Sequence, residues 1–197
     1  MNSHFKLPAE CPATVFKDMP IEQAIDVIGE LCRIDMRSSK ILASVSAAQF
    51  IMESGFGKSE LAQNSNNCFG MKCYLSGNTW AGSTWDGTSY YVKNSCEECT
   101  PGTRTVFSSA FRKYPSVQHS VADHSAYLLG AMRGSQKRFL GISKCRDPRT
   151  AIQILKDGGY ATSSEYSDGL FSVIEQYNLT EYDRKSPICI HKFLHLF

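Results

Sequence analysis

No stretch of the sequence approaches the roughly 18 consecutive apolar residues that a membrane span needs. The first residues, MNSHFKLPAECPATVF, also lack the basic and then apolar order of a signal peptide. A membrane partner is therefore not expected. The apolar tail Ile188 to Phe197 (ICIHKFLHLF) is too short to cross a bilayer, and is expected to pack on the body or fray. Runs of Lys or Arg are missing as well: 21 basic against 19 acidic residues leave a net charge of +2, without the basic arm of a nucleic-acid binder. The chain has no internal repeat and no low-complexity linker, so its 197 residues suit one domain with short extensions. Eight cysteines do not reach the density of a disulfide scaffold. Cys96 and Cys99 have metal-site spacing, but no second CxxC or HxxxH follows at a suitable distance. His191 and His195, four apart in the tail, read as ordinary surface histidines. Neither a metal nor an organic cofactor is expected.

What the sequence does contain is helical periodicity around one change of texture. Residues 1–19, punctuated by Pro8 and Pro12 and closed by Pro20, read as a loose lead; 20–183 form the domain and 184–197 a tail. Ile21, Ala24, Ile25, Ile28 and Leu31 follow the i, i+3, i+4 rule of an amphipathic helix. A second helix is predicted from about Ser38 to Ser54, ending at Gly55. Between Asn64 and Arg112 the composition turns to Gly, Ser, Thr, Asn and aromatics. Thr88–Lys93 and Thr103–Phe107, on either side of Pro101-Gly102, predict a small hairpin. Helical patterns return at about Val117–Met132, Pro148–Lys156 and Glu165–Tyr177. The fold class expected is α+β, a helical body with a β-hairpin lobe bordering a cleft.

One segment, QFIMESGFGKSELA (Gln49–Ala62), has two competing readings. GFGKS resembles the end of a phosphate-binding loop, but that motif needs a strand before it and a glycine five residues ahead of Gly57, where Met52 stands. The alternative centres on Glu53. On a helical wheel Ser46, Gln49 and Glu53 form a narrow polar stripe on an otherwise apolar helix. A carboxyl so placed either pairs with a buried base or sits at the floor of a cleft, and the residues alone leave both open. In the second case desolvation and the helix C-terminus both raise its pKa, which suits a general acid.

AAQFIMESGFGKSELA, followed by NNCFGMK (Asn66–Lys72), FRKYPSVQHSVADHSAYL (Phe111–Leu128) and GGYATSSEYSDGL (Gly158–Leu170), resembles the peptidoglycan endo-β-N-acetylglucosaminidases of glycoside hydrolase family 73. Four motifs in the family's order cover about Ile21 to Asp183. The resemblance implies a lysozyme-like α+β fold and cleavage of the β-1,4 bond between N-acetylglucosamine and N-acetylmuramic acid. It places the general acid at Glu53, leaves Lys58 and Ser59 as solvent-facing or capping residues, and puts Tyr160 of GGYAT near the acid, with Tyr166 as the motif's second aromatic. Where the family usually reads ATDPxY, this chain has Ala161-Thr-Ser-Ser-Glu-Tyr166, in which Ser163 or Ser164 can replace the missing cap.

The resemblance also implies a second carboxylate in the β lobe. Glu98 is the best match, Glu97 is adjacent, and Asp86 is the fallback. Neighbouring residues on a strand face opposite ways, so Glu97 and Glu98 cannot both face the cleft. Glu98 could act as base in an inverting reaction or as nucleophile in a retaining one, and the substrate's acetamido group offers a third route; carboxyl separations of about 6.5–9.5 Å accompany inversion and about 5–5.5 Å retention. Asn67, Phe69 and Gly70 match an NLFG-like motif expected to shape the loop beneath the sugar site, and Gln49 belongs to the polar stripe beside the acid. Cys68 reads as a small buried hydrophobe, Trp80 as packing, Trp85 as packing or sugar stacking, and His124 as a satisfied structural histidine. The expected partner is the glycan strand of bacterial peptidoglycan, met by a monomer released from the cytoplasm in the manner of a phage lysin or carried in a longer secreted protein. A muramidase, a lytic transglycosylase or a disabled wall-binding protein are the rival readings.

Overall fold

The helices of the N-terminal half end where the backbone turns left-handed. α1 (Ile21–Ser39) stops at Lys40, α2 (Ala43–Ser54) at Gly55 and α3 (Glu60–Ser65) at Asn66, with φ of 62°, 54° and 56°. Such a cap lets its own N–H close the last turn, as Lys40 does onto the Met36 carbonyl and Asn66 onto that of Ala62. A computed structural model describes residues 10–75, 78, 80–100, 103–161 and 164–184, without the side chains of 95–100, 103–107 and 164.

Two features of the N-terminal half differ from the sequence reading. The second helix, expected from about Ser38, begins at Ala43, because Ser38 and Ser39 belong to α1 and Lys40 breaks the chain. Ile41 and Leu42 are buried across that break, so apolar residues run through it without a gap. α3 was not expected at all. It is one and a half turns long, and its N-cap is Ser59, whose Oγ accepts from the Ala62 N–H at 3.3 Å.

β1 (Tyr90–Thr100) and β2 (Thr103–Arg112) form the predicted hairpin, longer than expected and antiparallel, with Tyr90 opposite Arg112 and a register shift between Glu98 and Thr100. α4 (Val117–Gly130) follows, then a two-residue ribbon of β3 (Met132–Arg133) and β4 (Gln136–Lys137). α5 (Pro148–Asp157) opens on Asp147, whose carboxylate accepts from Thr150 N at 3.0 Å, with Pro148 at the first helical position. α6 (Ser164–Gln176) and a 3-10 turn (Leu179–Asp183) complete the described chain.

α2 is the axis of the core. Ala43, Val45, Ala47, Ala48, Phe50 and Ile51 are buried, and α1, α6 and the 3-10 turn at 179–183 pack around it. Met52, counted with the apolar face in the wheel, is instead exposed, its tip against Gly169 of α6. Part of the stretch read as a loose lead also packs on the body. Cys11, Ala13 and Phe16 are buried, and the Asn66 amide joins Ala13 N to the carbonyls of Tyr114 and Pro115.

The hairpin is fixed to the helical body by a buried ion pair. Arg112 at the end of β2 meets Asp123 of α4 at 2.7 Å, with 1% and 0% of the two side chains exposed. Such a pair is tolerable only when its remaining groups are hydrogen-bonded. Here the guanidinium also donates to the Lys72 carbonyl and Asn78 Oδ1, while Asp123 accepts from Ser83 and Tyr114. The guanidinium lies 4.6 Å from the Trp80 ring and 4.7 Å from that of Trp85. Trp80 is therefore a packing residue, as expected, and Trp85 is half-buried with its N–H given to the Ser89 carbonyl.

Candidate active site

The segment that posed the choice between Lys58 and Glu53 resolves into a helix end and a turn. Gly55, Phe56 and Gly57 all have positive φ, and Ser54 Oγ accepts from Gly57 N at 2.8 Å. Lys58 Nζ donates to the Met19 carbonyl at 2.8 Å, tying the turn to the residues before α1. These backbone groups curl back on α2 instead of converging on an anion.

Glu53, the penultimate residue of α2, is exposed, yet the protein around its carboxyl desolvates it and raises its pKa above the usual carboxylate range. The opposing influence is the Tyr166 hydroxyl, which donates to Glu53 Oε1 at 3.0 Å. No ion pair to Glu53 occurs among the described residues. One turn earlier Gln49 is fully buried and its Nε2 donates to Tyr166 Oη at 3.3 Å. The polar stripe of the wheel thus leads to a phenol, and the phenol to the acid.

Tyr160 lies behind Tyr166, their rings stacked at 5.7 Å and 23°. Burial pushes the pKa of both phenols upward, which keeps them protonated. Tyr160 is near the acid but does not touch it directly. Its hydroxyl is 2.9 Å from His124 Nε2, and His124 is buried face to face on Phe69, at 4.0 Å and 8°. Desolvation pushes His124 down to about 3. Sequence reading treated His124 as structural; its contact joins residues 36 apart on different elements, which no local pattern could signal.

The remaining expected residues are placed less directly. Asn67 is buried, with its amide taken up by the Met71 N–H and carbonyl and the Arg112 carbonyl, so its side chain shapes the loop. Phe69 packs in the core between His124 and Phe50. Gly70 has φ of 64° and open space where a Cβ would stand. Cys68 is buried and its thiol pKa is raised well above the ordinary value, which fits a small hydrophobe and not a nucleophile. Glu97 and Glu98 pair through their backbones with Thr105 and Arg104, but their side chains lie outside the described residues, as do those of Cys96, Cys99, His191 and His195. Of the caps suggested for α6, Ser163 and the Ser164 side chain also fall outside. Asp86 accepts from Thr88 N, Ser89 N and Ser89 Oγ, which lowers its pKa to about 2 and makes it the brace of its own turn.

A helical body, a fixed two-stranded lobe and a desolvated glutamate ending a core helix define a lysozyme-like α+β domain. The chain belongs to the glucosaminidase family, described as mannosyl-glycoprotein endo-beta-N-acetylglucosaminidase, whose model matches residues 29–179. It is 29% identical over 163 residues to the exo-glucosaminidase LytG of Bacillus subtilis, covering 83% of this chain and 54% of that protein. It is 33% identical over 174 residues to an autolysin of Enterococcus faecalis, covering 85% of this chain and 22% of the relative. This chain therefore spans about half of the first relative's length and less than a quarter of the second's. The catalytic domain of the autolysin Auto from Listeria monocytogenes superposes with a TM-score of 0.67 at 26% identity, covering 84% of this chain and 90% of the other.

Proposed function

We propose that this domain hydrolyses the β-1,4 bond between N-acetylglucosamine and N-acetylmuramic acid in bacterial peptidoglycan. The observation that carries the reading is Glu53: exposed, desolvated, paired with no cation among the described residues, and held by one phenol O–H. A raised pKa leaves the carboxyl protonated closer to neutral pH, where it donates to the glycosidic oxygen as the bond to C1 breaks. The Tyr166 hydroxyl then stabilises the carboxylate produced. Water adds to C1, and its proton passes to a base.

Glu98 is the second carboxylate in this reading. Its support is its match to the family's β-lobe loop and its place on β1, one residue before the register shift. Asp86 is the weaker candidate, since both its oxygens already brace a turn. The domain acts as a monomer on glycan strands in the wall, with no nucleic acid or membrane as partner; no helix among the described residues is long and apolar enough to cross a membrane. It reaches the wall by release from the cytoplasm or within a longer secreted protein.

The test is mass spectrometry of borohydride-reduced products from digested sacculi. New reducing ends on N-acetylglucosamine support the proposal. Reducing muramic acid ends would make it a muramidase, and anhydromuramic ends a transglycosylase. The Bacillus relative is named an exo-enzyme; internal cleavage by this chain appears as long fragments early in the digest, whereas end-trimming would release small products only.

A further inference from the structure

We infer that the β lobe carries a second glycan-binding site, an open pocket walled by Tyr74, Trp85 and Tyr90 that takes one N-acetylglucosamine unit of the strand. The choice of ligand rests on the proposed function; the pocket itself shares no residue with the group of Glu53, Tyr166, Gln49 and Tyr160. Its volume is about 460 Å³, inside the range of about 300–1,000 Å³ that small-molecule sites occupy.

Two of the three rings stand in water. Tyr74 is 91% exposed and Tyr90 61%, whereas Trp85 is half-buried. Large apolar groups gathered on a surface mark a place where something docks. The walls are also held before any ligand arrives. The Trp85 indole donates to the Ser89 carbonyl at 2.7 Å and has the Arg112 guanidinium 4.7 Å from its ring centre. Asp86 accepts from Thr88 N, Ser89 N and Ser89 Oγ, which closes the turn that presents Trp85 and Thr88. On the Tyr74 side, Cys73 N donates to the Ala110 carbonyl at 3.0 Å, and the Asn78 amide joins the Cys73 carbonyl to Arg112. Walls fixed in this way lose little freedom on binding.

The chemistry of the lining selects the ligand. No Lys, Arg, Asp or Glu lines the pocket among the described residues, and Arg112 behind Trp85 is already paired with Asp123. An anion would find no free cation to meet it there, which disfavours the carboxylates of the wall's stem peptides. N-acetylglucosamine is neutral. In a β-1,4-linked strand its ring substituents are equatorial, so each face of the sugar presents C–H groups that pack flat on an aromatic ring. Its hydroxyls and acetamido group then point to the rim, where Thr88 carries a hydroxyl.

The test is a titration of Glu53→Gln, chosen so that the ligand is not cleaved, with the β-1,4-linked tetrasaccharide of N-acetylglucosamine, followed by 15N–1H spectra. The chain has two tryptophans, and the Trp85 indole N–H signal is assigned by its loss in Trp85→Phe. That signal should shift and saturate. Tyr74→Ala and Tyr90→Ala remove mostly exposed side chains and so spare the fold; together they should raise the dissociation constant read at Trp85 about tenfold. An unmoved Trp85 signal at millimolar tetrasaccharide, or an unchanged dissociation constant in the double variant, overturns the inference. A free stem peptide that moves the same signal at lower concentration than the tetrasaccharide would overturn it too. If wild type leaves sacculi intact, the proposed hydrolase reading fails while the titration still reports on the lobe. If sacculi are cleaved and the Trp85 signal does not move, the lobe site alone fails.

Discussion

Tyr166 Oη stands 3.0 Å from Glu53 Oε1 although the two residues are 113 positions apart, one ending α2 and the other on α6. The contact sets two opposing influences on one carboxyl: the surrounding protein disfavours the anion, and the phenol stabilises it.

Tyr166→Phe removes the second influence. Glu53 should then hold its proton to higher pH, moving the basic limb of the kcat/KM profile up by about one unit. Activity at the optimum should fall about tenfold, because the carboxylate left after proton donation loses its donor. A profile with its basic limb unmoved would mean that the hydroxyl does not act on the acid.

Asp123→Ala strands the Arg112 guanidinium in the core beside Trp80 and Trp85. The expected loss is about 3–5 kcal/mol of unfolding free energy in denaturant titration, the cost of a buried charge without its partner. Since Arg112 terminates β2, wall cleavage should decline with the fold. A loss under about 1 kcal/mol would place the pair in the weak class of surface bridges.

The two glycines of GFG should differ. Gly55 has φ of 54° with nothing within 4 Å of an added Cβ, so Gly55→Ala should cost about 1–2 kcal/mol from conformation alone. Gly57 has φ of 77°, and its Cβ would stand 2.8 Å from the Phe16 ring. Gly57→Ala should therefore lower the melting temperature more than Gly55→Ala.

Acid should weaken the fold through His124. Its pKa falls from 6.5 unfolded to about 3 folded, so the unfolded state binds the extra proton between these values and stability declines as pH drops below about 6.5. The slope approaches about 1.4 kcal/mol per pH unit. Desolvated Asp35, Asp183 and Glu53 act in the opposite sense nearer the carboxylate range, where each is easier to protonate in the folded chain. The contribution is read from melting temperatures at pH 6.5 and about 5, and His124→Gln should flatten that difference.

Much of this was legible because local chemistry announces itself. Gly55 after an apolar run marked the end of α2, Pro148 early in its helical pattern marked the start of α5, and the i, i+3, i+7 stripe put Glu53 on one polar face with Ser46 and Gln49, its choice as the acid resting on the resemblance. The break at Lys40 was hidden, since buried Ile41 and Leu42 kept the periodicity alive through it. α3 was too short to show a period. The Arg112–Asp123 pair, the His124–Tyr160 contact and the Tyr166–Glu53 contact depend on residues that only the folded chain brings together. The distance from Glu53 to a second carboxylate belongs to the same class of long-range facts.

The most direct measurement of the central claim is turbidity loss of purified sacculi with Glu53→Gln beside wild type, folding of both being verified by melting temperature. Gln cannot donate the proton but removes a desolvated carboxylate, so the variant should melt no lower than wild type at neutral pH while its lytic rate falls about 100-fold or more. A folded variant that clears sacculi at the wild-type rate would show that the proton comes from somewhere else.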